Sequence, residues 1–238
     1  MRDYRADRKY FEYFLSENQR DIYNIESAIR AEYRPEIFNP ERYNSIVQLK
    51  MKKIKIQYSM GEKLDTLYSD FVQLVPDFCK YWNRGVYSDL LTFLSFSVLF
   101  DISQAEFLEL SKAVAELRIG RKTSDWLINY LLHSKNKAID YQNSPFIFKK
   151  KYEKYREMIE CDNPEEALYT YLKGRWYNAQ KGAAWWGSHK RIDRGFPIYF
   201  GYWAFEIGAI AKILNLDDTR LKSVVYYPYD FVHYRDMN

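Results

Sequence analysis

The chain's supply of imidazole and thiol is small: three histidines, His133, His189 and His233, and two cysteines, Cys79 and Cys161. Zinc and related metals need such groups in short repeats, as in Cys-x-x-Cys or a histidine pair one helical turn apart, and none of the five stands in such a spacing. No metal site and no cofactor are expected. A cysteine nucleophile needs an activating base. Cys79 lies between Phe78 and the pair Tyr81-Trp82 in an apolar helical stretch and reads as a small buried hydrophobe. Cys161 precedes a helix start with no base beside it, and two cysteines make no disulfide scaffold. No glycine-rich phosphate cradle follows a strand, and Gly-x-Ser-x-Gly is missing.

Glu206 is the carboxylate most open to a chemical reading, because it interrupts the apolar run Tyr199 to Leu214. Burying it requires a donor, and His189, Lys190 and the many tyrosine hydroxyls are available. A general acid/base pair of Glu206 with His189 is the enzymatic alternative, testable by a bell-shaped pH dependence. One acid without a second acid or a metal does little chemistry alone, so Glu206 reads as structural and the chain as a non-enzyme.

The segment from Lys173-Gly174-Arg175-Trp176-Tyr177 to Trp185-Trp186-Gly187-Ser188-His189-Lys190-Arg191 interleaves rings with cations, the pattern that stacks bases and holds phosphates. On a continuous helix, however, Leu168, Leu172, Trp176, Ala179, Ala183 and Trp186 fall on one side and predict a core face. Lys173, Lys181, Lys190 and Arg191 would then be left for an acidic partner. Acidic residues gather later, as Asp217, Asp218 and Asp230: residues 201–238 carry 4 basic and 5 acidic side chains, against 17 and 13 in residues 101–200.

The elements that must position these groups are helices, since nearly every segment has a period of three to four residues. The first is predicted from about Asp3 to Glu32, stopping before Pro35. Asn39-Pro40-Glu41 opens the second with an N-cap, a proline at the first position and an acid against the dipole, and Asn163-Pro164-Glu165 repeats that signal. Leu64 to Val75 forms an apolar stripe, with Gly61 and Pro76 as breaks or kinks. Ser88 caps a central buried helix, Leu90 to Phe100. Ser103 to Glu106 is a capping box for a helix closed by Gly120, and Thr123 or Ser124 starts the next. Lys135 to Pro145, polar and aperiodic, is the expected linker.

Beyond it, helices are expected from Phe146 to Glu160, from Pro164 towards His189, from Ile198 to Leu214 and briefly after Asp218, with a loop at Asp193 to Pro197. The fold class is all-α, with an N-terminal helical domain over 1–134 and a C-terminal one over 145–238.

Composition narrows the function classes. The chain has 238 residues, 47% hydrophobic and 29% charged, which excludes disorder and fibrous repeats. The net charge of +4 from 36 basic and 32 acidic residues lacks the one-signed excess of a nucleic-acid coat or polybasic membrane binder. No apolar run suits a membrane span. The charged start, Met1 to Lys9, lacks an apolar leader core, so the expectation is a protein that stays where it is made.

Several of these residues form a recognisable set: Ala184-Trp185 with His189-Lys190, then Tyr199, Gly201-Tyr202-Trp203-Ala204-Phe205-Glu206, Ala209, Ala211-Lys212, Leu216-Asp217-Asp218, and Tyr227-Pro228-Tyr229-Asp230. From about Asn163 to Tyr234 the chain resembles the C-terminal domain of the PoNi family, immunity proteins against PoNe-type polymorphic toxins. Those toxins are DNases of the PD-(D/E)xK nuclease superfamily delivered by bacterial secretion systems. Arg2 to about Arg118 is similar in general character to the family's helical N-terminal domain. The resemblance implies a non-enzymatic helical protein of the bacterial cytoplasm that binds and inactivates a cognate DNase, without a membrane or a specific nucleic acid as partner. It makes Trp185, His189, Lys190, Gly201, Tyr202, Trp203, Glu206, Tyr227 and Pro228 family-motif residues of structural role. Asp217, Asp218 and Asp230 become candidate toxin contacts, because a nuclease cleft is positively charged. The alternatives are a helical nucleic-acid-binding protein using residues 173–191, or a helical interaction scaffold.

Overall fold

The computed structural model describes residues 1–31, 40–82, 86–117, 124–192 and 195–235. Among them the chain is all-α, without a strand. No helix of the described residues is long and apolar enough to cross a membrane. Contacts divide the chain into two compact units, each assembled from two stretches: unit 1 is Met1–Gly85 with Gly182–Tyr202, and unit 2 is Val86–Lys181 with Trp203–Asn238.

Unit 1 is built on α1 (Arg8–Ala31), α2 (Pro40–Met60) and α3 (Leu64–Tyr81). Helix α1 starts later than the expected Asp3, because Asp7 Oδ1 accepts the Tyr10 N–H at 2.8 Å and so caps the first turn. The residues before it form a strap, with the N–H groups of Arg2 and Asp3 donating to Ser59 O at 3.0 and 3.1 Å. Helices α1 and α3 both pack on α2. Gly61 is a true break, with φ of +86° and Met1 N only 2.9 Å from where a Cβ would stand. Pro76 is not a break: α3 runs through it to Tyr81. It lies on the exposed side of the helix, where a carbonyl left without its intrahelical donor is open to hydration. The expected cap Asn39 and stop Pro35 lie outside the described residues, as do Gly120, Thr123 and Asp193.

Unit 2 contains α4 (Tyr87–Leu99), α5 (Gln104–Glu116), α6 (Trp126–His133), α7 (Lys149–Glu160), α8 (Pro164–Gly174), α9 (Trp176–Ala179), α10 (Phe205–Ile213) and α11 (Tyr229–Val232). Its centre is α4 against α10. Phe96 meets Phe205 at 4.8 Å and Phe231 at 5.3 Å between ring centroids, and Lys212 Nζ donates to Leu99 O at 2.8 Å. The expected capping box at Ser103 and cap at Asn163 are formed. Helix α4 starts at Tyr87, which puts Ser88 inside it. Asp125, not Thr123 or Ser124, caps α6: its Oδ1 accepts Leu127 N–H at 3.0 Å, Ile128 N–H at 3.1 Å and the Tyr87 hydroxyl at 2.8 Å, while Oδ2 accepts Ile147 N–H at 2.8 Å.

Three expected elements differ. The segment 135–145 lies inside unit 2 as hydrogen-bonded turns, with Asn129 Nδ2 donating to Ser144 Oγ at 2.9 Å and Trp126 N–H to Pro145 O at 2.7 Å. The helix expected from Pro164 to His189 is instead α8, α9, turns and a 3-10 turn, Ser188–Arg191. Gly182 and Gly187 take φ of +97° and +73°, which a continuous helix does not admit. The helix expected from Ile198 begins only at Phe205, because Gly201 has φ of +98° and the residues around it run irregularly. Residues 198–204 therefore form a connecting strip ahead of α10. Helix α11 has no counterpart in the sequence reading.

Candidate functional site

Two polar clusters are built into the fold, one in each unit. In unit 1 the strap, the first turn of α1 and residues 188–189 and 198–202 converge on Tyr199 and Tyr202. Asp3, 2% exposed, accepts the Tyr199 hydroxyl at 2.5 Å, Arg5 N–H at 2.9 Å and Tyr202 N–H at 3.4 Å, and pairs with the Arg5 guanidinium at 3.3 Å. Tyr10 Oη accepts the N–H groups of Ile198 at 3.1 Å and Tyr199 at 2.7 Å. The irregular strip ahead of α10 is thus tied down by side chains where a helix would have used its own carbonyls.

The other pole of this cluster is the Tyr202 hydroxyl. It accepts His189 N–H at 3.1 Å, lies 2.8 Å from His189 Nδ1 and is 3.3 Å from Ser188 Oγ. The contact is compatible with a neutral imidazole that carries its proton on Nε2 and accepts the Tyr202 hydroxyl hydrogen at Nδ1. Burial is the largest influence on His189 and pulls its pKa down, with Arg5 and Lys190 adding to it. Burial pushes the Tyr199 hydroxyl up, and the Asp3 carboxylate pushes it further. Trp185 leans on Tyr202 at 5.3 Å between ring centroids.

In unit 2, Glu206 Oε1 accepts Trp176 Nε1–H at 2.7 Å and the Tyr155 hydroxyl at 2.9 Å. The residue keeps intermediate exposure. Its carboxyl is nevertheless screened enough that burial is the dominant influence and raises its pKa, against the two hydrogen bonds. Of the donor types expected, a tyrosine hydroxyl serves, that of Tyr155, joined by the Trp176 indole, while His189 belongs to the Tyr202 cluster of unit 1. The structure does not join Glu206 and His189 as an acid/base pair. Among the described residues no group of histidine, cysteine or carboxylate side chains could hold a metal ion. Cys79 is half-buried and Cys161 exposed.

Among the other motif residues, Pro228 and Tyr227 make contacts within unit 2. Pro228 packs on Gly208, where a Cβ would stand 2.7 Å from Pro228 Cγ and 3.1 Å from Val232 Cγ2. Tyr227 donates its hydroxyl to Asp218 Oδ2 at 2.6 Å, and His233 Nε2 lies 2.8 Å from Asp218 Oδ1. Trp203 is half-buried beside Ala204, whose N–H donates to Tyr226 O at 2.9 Å, and Lys190 is exposed.

The three candidate contacts therefore occupy different environments. Asp218 is 4% exposed with both oxygens engaged. Asp217 is exposed, and its Oδ1 takes the N–H and hydroxyl of Thr219 at 3.1 and 2.6 Å, bonds that lower its pKa. Asp230 is half-buried in the first turn of α11. Arg220 and Lys222 are exposed on the same turn, so this surface is mixed in charge. The basic aromatic segment is divided too: residues through Lys181 belong to unit 2, with Trp176 buried under Glu206, and those from Gly182 onward belong to unit 1.

Sequence reading missed Asp3, Asp125, Tyr10 and Tyr155. Asp125 carried a local signal, since aspartate directly before the apolar run Trp126-Leu127 is an N-cap position. Asp3, Tyr10 and Tyr155 act on partners far along the chain and gave none.

The comparisons with known proteins agree with this architecture. Protein PA2201 from Pseudomonas aeruginosa, known from its crystal structure, superposes with a TM-score of 0.67 at 17% identity, covering 92% of this chain and 86% of that one; at that identity the likeness establishes the fold. No curated protein matches the chain. Residues 2–112 match the family described as PoNe immunity protein (PoNi), N-terminal, and residues 123–231 match PoNe immunity proteins (PoNi), C-terminal. With both halves matched in order over nearly its whole length, the chain belongs to the PoNi family of PoNe immunity proteins.

Proposed function

We propose that this protein neutralises a cognate PoNe-type DNase toxin by binding it in the bacterial cytoplasm, stoichiometrically and without turnover. The observation that carries the reading is the pair of family matches over residues 2–112 and 123–231. The two polar clusters agree with it: Glu206 and His189 are each engaged by neighbours inside their own unit. An inhibitor of a lethal enzyme must leave almost no free toxin. Nanomolar affinity or better is expected, about −12 kcal/mol or beyond.

Asp217 and Asp230 are the proposed contacts, with Asp218 holding the turn that carries Asp217. The test is inhibition of the purified toxin encoded beside this gene, with titration to an equivalence point, and protection of cells that make it. The double reversal Asp217→Lys with Asp230→Lys should weaken binding and its salt dependence while circular dichroism and melting temperature stay near those of the unmodified protein. Unchanged protection by the double variant removes the acidic contact. Failure of the unmodified protein to protect removes the immunity reading itself.

A further inference from the structure

The Tyr199 and Tyr202 cluster fixes a surface that the immunity reading leaves unused. Tyr4 is 82% exposed although Asp3 and Arg5 on either side are bonded into the cluster. Phe196 is 80% exposed, two residues before Ile198, whose N–H is held by Tyr10. Arg8 and Lys9 are exposed in the first turn of α1 next to Tyr10, and Lys190 and Arg191 follow His189, whose ring meets Tyr202. Each of these six residues stands within two positions of a group that the cluster holds. Two exposed rings and three exposed cations, with the half-buried Arg191, therefore adjoin one hydrogen-bonded support.

Among the described residues of the strap and the start of α1, carboxylates do not offset this charge fully. Asp3 is buried and paired with Arg5, and Asp7 spends an oxygen on Tyr10 N–H. Glu12 pairs with Arg8 at 3.3 Å. Lys9, Lys190 and Arg191 are the cations without a carboxylate among those three. Rings at such exposure are poor for a surface in water and well suited to stacking on flat aromatic ligands, while the cations suit phosphates. A duplex hides its base faces. Unpaired bases offer them.

We propose that this face of unit 1, carrying Tyr4, Arg8, Lys9, Lys190, Arg191 and Phe196, binds single-stranded nucleic acid without sequence preference. The cations track the backbone, and Tyr4 and Phe196 stack on successive bases. The site differs from the basic segment 173–191 singled out in the sequence, because Trp176 is spent on Glu206 and the strap together with the first turn of α1 supplies half of the groups. It does not depend on the toxin reading.

The experiment is fluorescence anisotropy of a labelled mixed-sequence oligodeoxynucleotide of about 20 nucleotides, titrated with the full chain. Binding is expected at about 50 mM salt and should weaken about 50-fold by 200 mM if four phosphates are contacted. The triple reversal Arg8→Glu, Lys9→Glu, Lys190→Glu should weaken it at least about tenfold and flatten the salt dependence. Phe196→Ala should weaken it about tenfold with little change in that dependence. All four positions are exposed, and a melting curve identifies any variant that fails to fold; Phe196→Ala and Lys190→Glu alone then carry the test. No binding by the unmodified protein up to about 100 µM overturns the proposal, as does equal binding by the reversal. Loss of toxin binding in the reversal with oligonucleotide binding intact assigns the face to a protein partner and also overturns it.

Discussion

Tyr199 donates its hydroxyl hydrogen to the Asp3 carboxylate at 2.5 Å, joining residues 196 positions apart inside one compact unit. Without that bond the strap before α1 and the strip before α10 would each carry buried polar groups with no regular structure to satisfy them. The same carboxylate accepts two backbone N–H groups and an arginine. Replacing Asp3 by Ala should therefore cost about 2–4 kcal/mol, more than a surface aspartate, because the Tyr199 hydroxyl is left buried without an acceptor. Tyr199→Phe, which removes donor and hydroxyl together, should cost about 1–2 kcal/mol. Urea denaturation of the two variants and their double checks this: additive losses would show that the bond is not what couples them.

Two glycines separate helix propensity from packing. At Gly208 a Cβ would lie 2.7 Å from Pro228 Cγ, and at Gly174 it would meet nothing within 4 Å. Gly174→Ala should stabilise unit 2 by up to about 0.5–1 kcal/mol, through the backbone entropy of the unfolded chain. Gly208→Ala gains the same term, but must push Pro228 and Val232 away, and overpacking of this kind costs about 1–3 kcal/mol. Opposite shifts in melting temperature are expected, and a stabilised Gly208→Ala would mean that α11 is loosely seated.

The helices were legible where the signal was local. Asn163, Ser103 and the stripe from Leu64 to Val75 each act within a turn or two, and each formed as expected. The failures came where a long-range partner overrode the apolar period. Tyr199, Gly201 and Tyr202 look helical by composition, yet Asp3, Tyr10 and His189 hold them as an irregular strip. A carboxylate three residues from the start of a chain gives no sign that it is buried. Asp218 gave no sign of its burial for the same reason: its partners Tyr227 and His233 lie 9 and 15 residues on, beyond any capping pattern.

His189 should make unit 1 sensitive to mild acid. Burial, Arg5 and Lys190 hold its folded pKa below the ordinary histidine value of about 6.5. As pH falls through about 6.5 the unfolded chain takes up the proton first, so stability is full above that value and is lost as pH drops towards the folded pKa. His189→Gln should flatten the melting temperature between about pH 7.5 and 5.5 relative to the unmodified protein. An unchanged slope would mean that burial, Arg5 and Lys190 do not hold its folded pKa down.

Glu206 titrates in the opposite sense. Burial raises its folded pKa above the ordinary glutamate value, about 4.3, while Trp176 and Tyr155 favour the ionised form and limit the rise. Between the two pKa values the folded state keeps a proton that the unfolded state has released. The stability this group contributes is thus full below about pH 4.3 and is lost as pH rises through the folded pKa. Gln cannot ionise and still offers an oxygen to Trp176 Nε1 and the Tyr155 hydroxyl, so Glu206→Gln should gain on the unmodified protein as pH rises from about 4.5 to 7. Glu206→Ala withdraws the acceptor from both donors and should lose about 2–4 kcal/mol at every pH in that range. Urea denaturation across the range, with toxin protection measured on the same variants, separates fold from function. If Glu206→Ala keeps its stability and loses protection, the carboxylate belongs to the toxin interface and not to the core of unit 2.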